Sequence, residues 1–278
     1  MGVNAPFDAA AMRPSEGSFL ALTYNVHGLP PVITMDDTVE RIRQISPRLN
    51  GFDLVGLQED FDDLNHVLIE EESEHGHIRR FGEPLDGHFY GSGLSALSRF
   101  PIIDHRHVYY TGCHGRFDAA SDCLASKGVQ AVRIRLADQV EIDVYNTHLE
   151  AGGGPEDHAV RVEHVDELLT VMATYSQGRA IIFLGDTNLH ESDPLDAPVL
   201  RHFQSTAGLT DACDEVMCPE PGRIDRIMFR SGTGVHLDVS EWQVETAFVD
   251  PEGVALSDHD AISGRIHWRR TDVPNESN

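Results

Sequence analysis

Six apolar stretches of this chain each meet a carboxylate, a carboxamide or an imidazole at one end. FLALTYN stops at Asn25, DLVGLQE at Glu59, VEIDVYNTH at His148, and AIIFLGDTN at Asp186 and Asn188. Asp225 opens DRIMF, and Asp258 with His259 stands just before AISGRI. Any one of these is an ordinary strand cap. Together they describe a rigid sheet converging short polar side chains on one cleft. Carboxylate and amide oxygens are hard ligands, suited to Mg²⁺, Mn²⁺ or Ca²⁺. Two histidines with carboxylates nearby suit proton transfer and stabilisation of a charged transition state. The chain has no G-x-S-x-G and no G-x-x-x-x-G-K-[ST]. The combination points to metal-assisted attack of water on a phosphoester.

The elements that must position these residues are short strands alternating with turns and a few helices. FLALTYN (19–25) and DLVGLQE (53–59) are predicted strands. Between them DDTVERIRQISPRLN carries Val39, Ile42, Ile45 and Leu49 near helical spacing, with Pro47 bending or ending the helix early. A Glu-rich helix is expected around 62–74 and a Pro-broken strand at 93–103. VQAVRIRL and VEIDVYNTHL alternate apolar and polar residues about a polar turn, a hairpin signal. PEDHAVRVEHVDELLTVMATYSQG is a helix with a Gly stop, and RAIIFLGDTN, RIDRIMFRS, WQVETAFV and AISGRIHW supply further strands. The pattern is α+β, with helices covering sheet faces. One domain over 18–269 is expected, with loose flanks at 1–17 and 270–278.

The chain has 278 residues and a formal net charge of -25. That charge repels a nucleic-acid backbone and makes nucleic acid the less favoured partner. No run is long enough to span a bilayer, and the first residues lack the basic and apolar regions of a signal peptide. The four cysteines fall into two local pairs, Cys113 with Cys123 and Cys213 with Cys218. Two disulfides in an oxidising, extracellular or periplasmic compartment and four cytosolic thiols are both open readings, with the first slightly favoured.

In order along the chain, NVHG, LQED, GSGLSALSRFPI, NTHLEA, GDTNLH, RIDRIMF and LSDHDAI resemble the endonuclease/exonuclease/phosphatase superfamily over residues 19–267. Within it, ETAFVDPEGVALSDHDAI, GDTNLHESD and SDCLASKGVQAV look most like neutral sphingomyelinases. The resemblance implies a four-layer α/β/β/α sandwich of two mixed, mainly antiparallel sheets, with the active site at one edge. It implies a metal-dependent phosphodiesterase of sphingomyelin or a related phospholipid, using one or two ions, Mg²⁺ first; a monomer is expected. A nuclease or a phosphatase of the same superfamily is the alternative. By the same resemblance Glu59 is the principal metal ligand, supported by Asn25 and Asp258. Asp186 orients or deprotonates water and binds a second ion if there is one. Asn188 holds a phosphate oxygen, His148 and His259 flank the phosphate, and Asp225 fixes the tautomer of His259. Asp122 and Lys127 match a loop with a phosphate-binding or ordering role. Asp260, Glu150 and the histidines at 27, 66, 75, 77, 105 and 107 are expected to be solvated surface groups. Gly152–Gly154 is expected to be an active-site rim or a plain strand–helix connection.

Overall fold

The computed structural model describes residues 14–85, 87–115 and 122–271, without the side chains of Val32, Thr34 and Asp122. Two six-stranded sheets stack face to face. The first runs in the order β11 (Val235–Val244), β12 (Ile262–Arg270), β1 (Glu16–Asn25), β2 (Leu54–Gln58), β4 (Leu94–Ser98), β3 (His77–Phe81). The second runs β5 (Ile102–Tyr109), β6 (Gly128–Ala137), β7 (Val140–His148), β8 (Ile181–Asp186), β10 (Asp225–Arg230), β9 (Thr210–Asp211). Among the strands of the described residues only β1–β2 and β7–β8 pair in parallel, so both sheets are mixed and mainly antiparallel.

Helices close the outer faces. α1 (Pro31–Thr34), α2 (Thr38–Arg48) and α3 (Asp63–Glu72) follow β1 and β2, and Ile42, Ile45, Leu68 and Ile69 pack on Leu22, Tyr24, Val55 and Leu57. α4 (Pro155–Tyr175) and α5 (Asp196–Ala207) cover the second sheet, where Val165, Leu168 and Phe203 meet Tyr145 and Phe183. α6 (Ala212–Val216) is a single short turn. The layers are therefore α/β/β/α. α2 begins where the Asp37 carboxylate accepts from the Glu40 amide, and Pro47 sits in its last turn, where it interrupts little. Pro101 lies between β4 and β5, where the chain leaves one sheet for the other.

Two expectations shift. The strand expected at WQVETAFV is β11, ten residues from Val235, whose alternation of buried and exposed residues begins earlier in VHLDVSEWQV. The flanks expected at 1–17 and 270–278 fall mostly on 1–13 and 272–278, which lie outside the described residues; Glu16 and Gly17 are paired with Arg269 and Trp268. Both cysteine pairs are disulfides, Cys113–Cys123 and Cys213–Cys218. No helix among the described residues is long and apolar enough to cross a membrane.

Alternate residues of a strand share a face, and the face turned to the other sheet changes character along its length. On β1 the row is Phe19, Ala21, Thr23, Asn25; on β7 it is Ile142, Val144, Asn146, His148; on β8 it is Ile182, Leu184, Asp186. Apolar residues fill the middle of the sandwich, and polar ones take over toward a single edge. There Asn146 bridges the sheets. Its amide nitrogen donates to the Leu57 and Ser95 carbonyls (2.9 and 3.1 Å), and its oxygen accepts from Gln58 Nε2 (2.7 Å). Gly56 lets the layers approach, since a Cβ there would lie 3.0 Å from the Leu184 Cβ. Replacing Asn146 by Leu removes all three bonds, leaving the Gln58 amide to Thr23 Oγ1 (3.2 Å) and the Gly56 carbonyl (3.3 Å). We predict a loss of about 2–4 kcal/mol, a hydrogen bond contributing ~0.5–1.5 kcal/mol net. It is read as a lower urea midpoint at unchanged slope; an unchanged midpoint would mean that the bridge contributes nothing.

Candidate active site

The polar ends of these rows meet at the edge where β1, β2, β7 and β8 finish and β10 starts. Register does much of the positioning. His148 pairs with Asp186, and Asp186 pairs with Asp225, so three site candidates stand side by side across β7, β8 and β10. Asn25 ends β1 beside Gln58, the last residue of β2, and Glu59 follows. The two sheets are joined here by one carboxamide: Asn25 Nδ2 donates to Glu59 Oε1 at 3.0 Å and to Asp186 Oδ2 at 3.1 Å.

Asp186 is fully buried and is the centre of the cluster. Its Oδ1 accepts from the Asn188 amide (3.0 Å), and its Oδ2 lies 3.4 Å from His148 Nε2 and 3.7 Å from His259 Nε2. Burial, then the neighbouring Asp225 charge, push its carboxyl up to about 7. His148 is buried too, and that burial, with Lys127 and His259 close by, holds its imidazole neutral, well below the usual histidine range. His259 goes the other way. Burial alone would lower it, but the Asp225 hydrogen bond (Nδ1 to Oδ2, 2.9 Å) and the charges of Asp225, Asp186 and Asp258 raise it to about 9. At neutral pH the site thus holds one neutral and one protonated imidazole, both facing the same carboxylate oxygen.

Three residues here adopt the left-handed backbone: His27 (φ 47°), Glu59 (φ 58°) and Asn188 (φ 48°). For a glutamate this costs about 1–2 kcal/mol, and it turns Glu59 sharply off its strand toward Asn25. Gly28 holds the turn: its N–H donates to the Glu59 carbonyl, and a Cβ at this position would lie 2.5 Å from that oxygen. Asp60 turns away to Ser95 Oγ (2.5 Å) and His66. Glu59, not its neighbour, is therefore the carboxylate that faces the cleft.

Asp258, 61% exposed, lies at the rim with His259 just inside it. Asp260 pairs with Arg223 at the surface, where a solvated group was expected. Asn188 donates from Nδ2 to the Leu149 carbonyl (3.2 Å), and the Lys127 ammonium donates to that carbonyl as well (2.5 Å). Lys127 is buried beside His148. Asp122 lies in a 3₁₀ turn next to Cys123; its side chain is outside the described residues.

Some residues expected at the surface are not there. His27 sits between two site carboxylates, Nδ1 lying 3.7 Å from Glu59 and 3.4 Å from Asp258. His75 is buried against the Phe52 carbonyl, His66 is held by Asp60, and His107 stacks on Phe81. Glu150 is buried as well, accepting from the His114 amide (2.6 Å). The signal in NVHG was the spacing: two residues beyond Asn25, a left-handed turn brings His27 back to the cleft. Gly152–Gly154 is the strand–helix connection, with Gly154 capping α4 and Arg161 donating to the Gly152 carbonyl.

The donors of this edge fit a hard divalent cation. Glu59 and Asp258 offer oxygens on either side of His27, and the Glu59 and Asp186 carboxylates converge on the same amide. A cation there would offset the burial, and the neighbouring Asp225 charge, that keep Asp186 hard to ionise. Asp186, Asp225 and His259 also present donor atoms within 4.8 Å of one another. His259 in that group is held protonated by its bond to Asp225, which makes it the poorer pocket for an ion. Two hollows flank the cluster. One, of about 250 Å³, is lined by Leu29, Ile33, Phe61, Tyr90, Leu124 and Ala125 and floored by Glu59, Lys127 and His148. The other, about 340 Å³, is polar and contains Asp225, Asp258, His259 and Asp260.

Comparison with known proteins accords with this arrangement. The family model that matches, over residues 22–259, is that of the Endonuclease/Exonuclease/phosphatase family. A sphingomyelinase of Mycobacterium tuberculosis is 30% identical over 289 residues, covering 95% of this chain and 55% of the relative. Human sphingomyelin phosphodiesterase 2 is 24% identical and is matched over 84% of this chain and 61% of its own length. The chain thus spans little more than half the length of these curated relatives. Among solved structures, SmcL superposes with a TM-score of 0.67 at 18% identity, covering 92% of this chain and 99% of that one. A Staphylococcus aureus beta toxin variant with bound magnesium ions gives 0.65 at 14%, covering 89% and 99%. At such identities these structures speak for the fold. With the two stacked sheets and the residues at their shared edge, they lead to one conclusion: the chain is a member of the endonuclease/exonuclease/phosphatase family.

Proposed function

We propose that this protein is a metal-dependent phosphodiesterase that hydrolyses sphingomyelin or a related phospholipid, releasing the phosphorylated head group and a lipid alcohol. The observation that carries the reading is the meeting of His148 and His259 on one buried carboxylate, Asp186, that is itself tied through Asn25 to Glu59. The likeness to proteins named sphingomyelinase over 95% of the chain supports the substrate class. The net charge of -25 weighs against a nucleic-acid backbone.

In this reading Glu59 is the main metal ligand, with Asn25 and Asp258 in support. A bound Mg²⁺, or Mn²⁺ or Ca²⁺ in its place, supplies Lewis-acid charge to the phosphoryl oxygens. Asp186 orients the attacking water and takes its proton; a carboxylate raised toward neutrality is a better base than a free one. His259, protonated and held by Asp225, places positive charge beside the developing phosphorane. His148 donates an N–H from a neutral ring, and Asn188 and Lys127 complete the polar wall. A second ion would take Asp186 as a ligand. The protein acts as a monomer, and its two disulfides favour an extracellular or periplasmic compartment.

Three outcomes are expected. Phosphocholine release from sphingomyelin in mixed micelles requires Mg²⁺ and stops with EDTA; release that survives EDTA ends the metal reading. Cleavage of a chromogenic diester but of no phospholipid would keep the chemistry and overturn the substrate. Glu59→Ala and His259→Ala each lower kcat by about 10²–10⁴-fold with the melting temperature held. Asp225→Asn, which loosens the His259 ring but keeps its volume, costs about 10–100-fold. Full activity in a folded Glu59 or His259 variant would remove the site assignment.

A further inference from the structure

β1 keeps a strand on both sides as far as Thr23, which pairs with Ile262, and β12 begins only there. Past that point the β1 backbone still meets β2 and its extension: the Val26 and Gly28 N–H groups donate to the Gln58 and Glu59 carbonyls, each at 3.0 Å. The carbonyls on the other side find side chains instead of a strand. That of Asn25 accepts from Ser257 Oγ (2.7 Å). Those of Val26 and His27 accept from Arg41 Nη1 (3.1 Å) and Nη2 (2.8 Å), and Nη1 donates to the Leu256 carbonyl as well (2.8 Å). One guanidinium thus spans the turn that carries Asn25 and His27 and the loop that carries Asp258 and His259. Arg41 lies near the N-terminus of α2, the end where a helix disfavours a cation. Its side chain is nonetheless mostly buried there, with Asp36 3.2 Å from Nε. Three carbonyls converging from two segments call for several N–H groups in one rigid plane, which the arginine fork supplies.

We infer that Arg41 is a positioning residue of the metal site, its guanidinium setting the distance between the Glu59 side of the cleft and the Asp258 side. The inference rests on the metal-dependent reading above and is independent of the phospholipid substrate. Arg41 reaches the site through backbone: Val26 adjoins Asn25, and Leu256 stands two residues before Asp258. Charge and geometry make opposite predictions for its removal. Taking a cation from so acidic an edge strengthens the pull of Glu59 and Asp258 on a metal ion. Taking the clamp away lets the two segments part and weakens a ligand set that draws on both. A loss of metal affinity is therefore the mark of the clamp.

The test measures Mn²⁺ binding to the full chain by electron paramagnetic resonance, with hydrolysis of bis(p-nitrophenyl) phosphate alongside. Arg230 is the matched control: it too donates to three carbonyls, those of Ala207, Ser176 and Arg179, but at the end of β10 away from Asp225. Arg41→Ala is expected to raise the Mn²⁺ dissociation constant by about 10–100-fold and to regain part of the affinity with millimolar guanidinium. Arg41→Lys keeps the charge and loses the fork; it is expected to bind Mn²⁺ as weakly, and it decides the question if the alanine variant does not fold. Arg230→Ala is expected to lower the melting temperature and leave the dissociation constant unchanged. Unchanged or tighter Mn²⁺ binding in a folded Arg41 variant overturns the clamp, and so does an equal loss of affinity in Arg230→Ala. If the wild-type protein binds no Mn²⁺ and cleaves no diester, the metal reading itself fails, and this inference with it.

Discussion

The hydrogen bonds of one carboxamide carry the arrangement. Asn25 belongs to one sheet and Asp186 to the other, 161 positions away along the chain, and the Asn25 amide nitrogen bonds both Asp186 and Glu59. For that to happen the two sheets must be close-packed and correctly staggered at this edge. Gly56 permits the approach, and the Asn146 bridge fixes the stagger just beneath the cluster. The apolar middle supplies the free energy of stacking. It says nothing about register, because apolar contacts are not directional. The polar contacts at the edge do.

The cost of this geometry is local and visible. Three non-glycine residues stand in left-handed backbone at the same edge, and two imidazoles there are driven apart in protonation by their surroundings. His148 is buried with Lys127 and His259 near it, so it remains neutral. His259 lies next to Asp225, so it stays charged. Strain and opposed titrations in one small volume are what a preorganised site requires, and the sandwich around it is regular enough to hold them.

Much of this was legible in the chain. The rows F-x-A-x-T-x-N, I-x-V-x-N-x-H and I-x-L-x-D state the face, the period and the end of three strands in their own letters, and strand periodicity does the rest. The cysteine pairs were legible as pairs and not as bonds, since spacing does not decide redox state. What escaped were features made by backbone turning rather than by pattern. His27 reaches the cleft through a left-handed residue, and Glu150 is buried because the loop of His114 folds over it. The apolar pocket escaped for a similar reason: its walls come from segments near 30, 61, 90 and 124, none of which looks unusual alone.

Charge gives the cleft a polarity that the fold alone does not. Glu59, Asp186, Asp225 and Asp258 bring four carboxylates to one edge, against the Lys127 ammonium and the His259 imidazolium. A phosphodiester is itself an anion. At the few-ångström separations of this cluster, and with Asp186 fully buried, like charges repel by several kcal/mol rather than by the small amount they would in water. In the reading proposed above, the edge therefore takes up a cation before a phosphate settles against it. That order follows from the residues themselves. In the same reading, the long-range field of so acidic a surface would be overruled, within a few ångströms, by the cation that the carboxylates would hold.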